Sequence, residues 1–234
     1  MISPPEEVSL SLTVNGVELV TIQCSPFGFD DLGVGFLYTN GVISNFDEIE
    51  ASSFSRADCA LRFELGKKEF PMPRRFVVTS GFGGGPVFDD GPPGERVGGA
   101  MGLPADRLAG LMAAMKDRAV HYQNNGGIHA TALCEGGGVV YMAEDVGRQN
   151  SMDKVIGHCL SRGIELEGKA MLTTGRISFE MVAKAVRAGI PVLASLSAPT
   201  KKAVEHAGRC GVAIAGYVDD DGFIAYSHEQ RFMG

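Results

Sequence analysis

The chain opens on a pattern with a period of two. From Ser9 to Val14 polar and apolar residues alternate, Asn15-Gly16 follows, and Val17 to Cys24 returns. This predicts two strands with one buried face, joined by a two-residue turn in which Asn-Gly supplies positive φ. The period then becomes helical. Asp30 or Asp31 is read as the cap of a helix that runs through Leu37 and Tyr38 and stops near Asn40-Gly41. Cys59 to Leu65 and Arg75 to Thr79 predict two further strands. From Thr79 to Gly102 half of the residues are Gly or Pro, which predicts a long flexible loop without regular elements. The chain thereby divides into an N-terminal α+β part over 1–80, a Gly/Pro-rich loop over 81–102 and a C-terminal α/β part over 103–234.

In the C-terminal part, Leu108, Leu111, Met112, Met115 and Ala119 fall on one face of a helix from Pro104 to Val120. Short β-runs then alternate with helices. The strands are His129–Cys134, Val139–Ala143, Lys169–Thr173, Pro191–Ser195, Val212–Val218 and Phe223–Ser227. The helices are Asn150–Ser161, Ser178–Ala188 and Thr200–Arg209, with Gly189 and Gly211 at C-cap positions. Alternation of this kind predicts a largely parallel sheet with helices on its faces.

Ligands bind such sheets at the carboxyl ends of the strands. Three successive strand-to-helix loops carry related chemistry there: Glu144 to Asn150, Thr173 to Ser178, and Ser195 to Lys202. Each enters a helix whose first N–H groups are unpaired. The loops supply Arg148, Arg176 and the pair Lys201 and Lys202, together with small hydroxyl and amide side chains. Arg grips phosphate bidentately and hydroxyls serve the remaining acceptors, so the set suits a ligand with several phosphates. Asn150, Ser178 and Thr200 are also good N-caps. Asp145 and Asp153 are read as orienting Arg148 and Lys154, and Glu180 as completing a helix-start charge pattern.

Composition narrows the classes. At 234 residues, 44% hydrophobic and 21% charged, the chain can bury a substantial core. A net charge of -7 argues against a generally basic nucleic-acid binder. No apolar run reaches the length of a membrane span, and MISPPEEVSLSL has neither the basic nor the apolar region of a signal peptide. Cys24, Cys59, Cys134, Cys159 and Cys210 are scattered and odd in number, which points to reduced thiols and a cytoplasmic location. No Lys lies between Thr79 and Gly102, so the glycine-rich stretch is no P-loop. Pro86, Pro92 and Pro93 deny it the helix of a dinucleotide fingerprint. His129-Ala130-Thr131 lacks the Glu of a zinc deaminase, and no CxxC or HExxH exists, so no zinc is expected. His129 reads as a hydrogen-bonded or ligand-facing side chain.

EDVGRQNSMDKVIG (144–157) and TTGRISFEMVAKAVRAGIPVLASLSAPT (173–200) closely resemble the formate dehydrogenase accessory sulfurtransferase family, FdhD. TVNGVEL near residue 14, LGVGFLYTNGVI (32–43), NGGIHATAL (125–133) and GYVDDDGFIAYSHEQRF (216–232) match its other blocks. The resemblance implies a three-layer α/β/α fold similar to cytidine deaminases, in a homodimer. It implies a place between a cysteine desulfurase and a molybdenum- or tungsten-dependent formate dehydrogenase. Persulfide sulfur would pass to the bis-guanine-dinucleotide form of the molybdenum cofactor, for which GDP is a mimic in vitro. Carried onto this sequence, the cofactor-binding residues are His129, Asp145, Gly147, Arg148, Asn150, Asp153 and Lys154; Thr174, Gly175, Arg176 and Ser178; Ser195, Ser197, Ala198, Pro199 and Thr200; and Gly216, Tyr217 and Phe223.

The match breaks at the sulfur relay. The family's CGxCG loop reads GFGGG here, which puts Phe82 and Gly85 at the two cysteine positions. A persulfide needs a thiolate, so neither residue carries sulfur. Gln149 replaces the His of the family's GRHN, and Leu196 the Arg of its SRSAPT. Three accounts follow. Another cysteine, Cys24 or Cys59, carries the sulfur; or the protein binds and delivers the cofactor without sulfur transfer; or it is a regulatory partner of a complete family member.

Overall fold

The computed structural model describes residues 3–70, 75–79, 83–87, 97–98 and 102–233; Phe82 lies outside them. The N-terminal hairpin forms as the pattern predicts. β1 (Val8–Val14) and β2 (Val17–Cys24) pair antiparallel about Asn15 and Gly16, at φ 49° and 76°. α1 (Phe29–Thr39) is capped by Gly28 rather than by an aspartate; Asp30 and Asp31 occupy its first turn, where the helix dipole favours them. β3 (Ile49–Ser55) and β4 (Ala60–Leu65) complete a sheet of order β2-β1-β4-β3. β3 escapes prediction because nearly all its side chains are exposed on both faces, which leaves no alternation to detect. Cys59 belongs to the turn before β4, with φ 47°, and not to the strand.

The glycine-rich stretch is not wholly without structure. β5 (Arg75–Thr79) pairs antiparallel with β6 (Gly83–Val87), and Gly85 lies opposite Val77. Ladder hydrogen bonds come from the backbone, so an apolar pattern is not required for a two-stranded ribbon.

α2 (Ala105–Arg118) and α3 (Val120–Asn125) lead into the main sheet. Its elements are β7 (His129–Glu135), β8 (Gly138–Asp145), α4 (Arg148–Ser161), β9 (Ala170–Thr173), α5 (Phe179–Arg187), β10 (Val192–Ser195), α6 (Lys201–Cys210), β11 (Ala213–Asp219) and β12 (Gly222–Ser227). The strand order is β12-β11-β10-β9-β7-β8. Only β9, β10 and β11 are mutually parallel. β7 with β8, and β11 with β12, are hairpins and hence antiparallel, and β7 also runs against β9. The sheet is therefore mixed and not largely parallel.

Alternation along the strands separates two cores. Leu133, Met171, Leu193 and Ile214 face α4, α5 and α6. Ala132, Leu172, Ala194 and Ala215 face Leu108, Leu111, Met112 and Met115 of α2. Helices thus cover both faces, giving an α/β/α arrangement with a smaller α+β part beside it. α1 joins the two, lying on its own sheet and against α4. The helices approach through glycines: a Cβ on Gly35 would overlap the Asp153 carbonyl, and one on Gly157 the Asp31 carbonyl.

Candidate functional site

Strand direction brings the three loops together. β8 opposes β7, which opposes β9, so β8, β9 and β10 all end on one edge. β7 begins there, with His129 opposite Asp145. Each loop enters a helix: Gly147 precedes α4, Ser178 precedes α5 and Thr200 precedes α6. α4 starts before Asn150, so Asn150 is not its cap. Its amide donates to Asp145 Oδ1 and to the Gln23 carbonyl, each at 2.8 Å.

The loops are fastened to one another. Ser195 Oγ donates to the Gly175 carbonyl at 2.7 Å and accepts from the Ser197 N–H at 2.9 Å. Ile177 N–H bonds Ala198 O, and Thr200 N–H bonds Ile177 O, in a small parallel bridge that includes Pro199. Thr174 exchanges bonds with Ala130, its hydroxyl accepting from the Ala130 N–H at 3.0 Å. Beneath them Thr131 and Ser151 share a 2.7 Å hydroxyl contact, and Ser151 reaches the Arg148 carbonyl at 2.9 Å.

The acids named by the sequence lie below this surface, fully engaged. Asp145 accepts from the N–H groups of Ser25 (3.1 Å) and Gly147 (2.8 Å) and from Asn150, and pairs with buried Lys154 at 2.6 Å. Lys154 also donates to the Glu144 carbonyl and sits 4.4 Å above the Phe27 ring. Asp153 receives Lys184 on both oxygens at 2.7 Å and the Thr39 hydroxyl at 2.8 Å. Burial pushes the Asp153 carboxyl up, and Lys184 and Thr39 pull it back. Asp145 therefore pairs with Lys154 and Asp153 with Lys184; neither holds Arg148. Thr39 and Lys184 fall inside family-like blocks, but no local pattern pairs them or Ser25 with these acids, because the partners lie far apart along the chain.

The two arginines are different. Arg148 Nε, Arg176 Nε and Ser178 Oγ are buried polar atoms without any partner. Ser178 holds the N-cap position of α5, yet its hydroxyl makes no capping bond, whereas Thr200 accepts from the Ala203 N–H at 3.2 Å. Burial and then the Arg176 guanidinium push the Arg148 guanidinium below its ordinary pKa, against a pull from Glu180. Gly175 leaves room for the group: a Cβ there would stand 2.8 Å from Arg148 Cβ and 3.1 Å from His129 Nδ1. Burial, then the Arg148 charge, hold His129 below the usual imidazole range, against Asp145.

At the rim, a Cβ on Gly216 would crowd Tyr226 at 2.9 Å and Pro199 at 3.1 Å. Tyr217 is half exposed, in a left-handed conformation at φ 55°, and its N–H donates to Ser197 O at 3.3 Å. Lys202 lies 4.2 Å over the Phe179 ring and Lys201 is exposed. Phe223 stands where β12 begins beside the end of β11, at this same edge, with its ring 5.1 Å from Phe232 in the α2-side core. Among the described residues, no group of three or more His, Cys, Asp or Glu could hold a metal ion. What remains is an edge with two unneutralised guanidiniums, a free hydroxyl and three helix N-termini, suited to an anion with several oxygens.

Residues 5–233 match the FdhD/NarQ family. The chain belongs to that family. It is similar to the sulfur carrier protein FdhD of Geobacillus kaustophilus, at 31% identity over 97% of this chain and 89% of the relative. The sulfur carrier protein FdhD of Bacillus pumilus is 32% identical over 97% and 88%. Its fold is that of a Desulfotalea psychrophila chain assigned as a formate dehydrogenase accessory protein, with a TM-score of 0.79 and 20% identity over 98% of this chain and 90% of that one. This FdhD/NarQ member keeps four of its five cysteines buried and one, Cys59, half-buried. Burial pushes the thiols of Cys24 and Cys134 up to about 12 and that of Cys159 to about 11. No helix among the described residues is long and apolar enough to cross a membrane.

Proposed function

We propose that this FdhD/NarQ member binds the molybdenum cofactor in its bis-guanine-dinucleotide form, or the tungsten analogue, at the three-loop edge and delivers it to formate dehydrogenase during maturation. One observation carries the reading: Arg148 Nε, Arg176 Nε and Ser178 Oγ are buried without partners beside each other's loops. Leaving buried donors unmet costs about 1–3 kcal/mol each, a cost that a bound phosphate removes. Arg148 and Arg176 would hold phosphate oxygens, Ser178 and the first N–H groups of α5 would complete the shell, and Lys201 and Lys202 would meet charge at the rim. The cofactor supplies the metal and its sulfur ligands; the chain's residues bind it and shield it. The unpaired cysteines support action in the cytoplasm, and the family resemblance supports a homodimer.

In this reading the chain does not itself carry sulfur. Phe82 and Gly85 offer no thiol, and Cys24, Cys134 and Cys159 are protonated at neutral pH. A second reading, sulfur carriage from a cysteine desulfurase on Cys59, is favoured by the names of the relatives and by that residue's partial exposure in a turn. Incubation with a cysteine desulfurase and radiolabelled cysteine separates the two: reducible label that disappears in Cys59→Ser would establish carriage. GDP tests the pocket. It raises the melting temperature by mass action if it binds the folded state, and Arg176→Ala removes the rise. No rise at millimolar GDP would sink the cofactor reading.

A further inference from the structure

We infer that His129 is a ligand-linked proton acceptor: anion binding beside Arg148 and Arg176 draws a proton onto its imidazole, so the site binds anions more tightly as the pH falls. The inference rests on the phosphate-site reading and assigns a role to one more residue of that site.

The geometry comes first. His129 opens β7 at the edge where the three loops meet. Its Nδ1 lies 3.5 Å from the Thr174 hydroxyl, whose other bond is to the Ala130 N–H. Only the absent side chain of Gly175 separates the imidazole from Arg148, since a Cβ there would touch Nδ1 at 3.1 Å and Arg148 Cδ at 3.3 Å. The ring therefore borders the same gap as Arg148, whose Nε is unpartnered.

The charges facing it come from every neighbouring element. Across the sheet on β8, Asp145 is consumed by Lys154 and three N–H donors, and Glu144 caps α3 through the N–H groups of His121 and Tyr122. From α4 comes Arg148, which in turn feels the repulsion of Arg176 from the second loop and the weaker pull of Glu180 from α5. Without a bound anion, the site sets two cations against each other, offset only by the pull of Glu180. A third positive charge is resisted there, which agrees with the lowered imidazole pKa. A bound dianion reverses the sign of the local field. Proton and anion then favour each other, and by linkage each raises the other's affinity by the same factor.

Sulfate is the probe, because it stays a dianion throughout the range in which histidine titrates. At constant ionic strength made up with chloride, sulfate should bind several-fold more tightly at about pH 5.5 than at about pH 8, since a rise of about one pKa unit on His129 supplies up to about tenfold and does so in full only below both pKa values. His129→Gln should bind sulfate with the same affinity at both values. Imidazole NMR on the unaltered protein gives an independent readout: the His129 resonances should titrate at higher pH with sulfate than without. Sulfate binding that ignores pH, a His129→Gln variant that keeps the pH dependence, or a His129 titration indifferent to sulfate would each overturn the inference and leave the phosphate site standing. If neither sulfate nor GDP binds at either pH, the phosphate site itself falls.

Discussion

Lys154 and Arg148 are both cations on α4, six residues apart, and they live in opposite surroundings. Lys154 is 2% exposed and meets Asp145, the Glu144 carbonyl and the face of Phe27. Arg148 is less buried and meets another cation, with its Nε unpartnered. At the neighbouring position on α4, Asp153 with Lys184 repeats the first arrangement and ties α4 to α5 and, through Thr39, to α1. A buried charge whose partners are all intramolecular is committed to the fold. A half-buried charge facing a like charge is a cost to the fold, and persists where something outside the chain offsets it. The difference separates scaffold from site within a single helix.

The largest expected effect tests the scaffold half. Lys184→Met leaves the Asp153 carboxylate with the Thr39 hydroxyl alone, and should lower unfolding stability by about 3–5 kcal/mol in denaturant titration. Lys154→Met should cost less, because Asp145 keeps three other donors. A Lys184→Met protein as stable as the parent would show that the pair is not structural. The site half should respond in the opposite way. Arg176→Ala should leave stability within about 0.5 kcal/mol and weaken GDP by about 1.5–3 kcal/mol, read by calorimetry. An Arg176→Ala variant that unfolds, or that binds GDP as before, would erase the distinction.

The sequence made the site half legible and the scaffold half not. Arg148, Arg176, Ser178 and Thr200 are found because strand, loop and helix start are local patterns, read within a few residues. The partners of Asp153 are not: Lys184 is 31 residues away and Thr39 is 114. Family resemblance groups Asp145, Asp153, Lys154 and Phe223 with the ligand residues on local motifs alone; the partners their side chains meet in the fold, Lys154 for Asp145, Lys184 for Asp153 and Phe232 for Phe223, are visible only in the structure. The antiparallel strands were missed for a related reason. A hairpin and a crossover leave the same alternation on a strand, and direction lies in the short connections at 136–137 and 220–221.

A finer cut compares two hydroxyls at equivalent helix starts. Thr200 caps α6, and Thr200→Ala should cost about 1 kcal/mol of stability. Ser178 occupies the same position on α5 without capping it. Ser178→Ala should change stability far less than its position implies, and should weaken GDP by about 0.5–1.5 kcal/mol instead. Equal stability losses in the two variants would mean that Ser178 is a cap and nothing more.

The smallest effect concerns pH. His129 and His206 are both held below the usual imidazole range, His129 by burial and Arg148, His206 by burial, Arg209 and Lys202. A histidine depressed in the folded state is charged more readily in the unfolded chain. Its share of stability is thus complete above the unfolded value, about 6.5, and is lost as the pH falls toward the folded value. The melting temperature should decline by a few degrees on acidification below that point. The two residues can then be told apart by ligand. His206 packs at a tilt against Phe179, ring centroids 4.7 Å apart, and the charges acting on it are Arg209 and Lys202, so its contribution should be the same with and without sulfate. The His129 contribution should shrink when sulfate fills the gap, because the anion removes the field that opposed protonation. A decline that sulfate leaves untouched would place both histidines with the scaffold, and the boundary between the two kinds of charge would then run between His129 and Arg148.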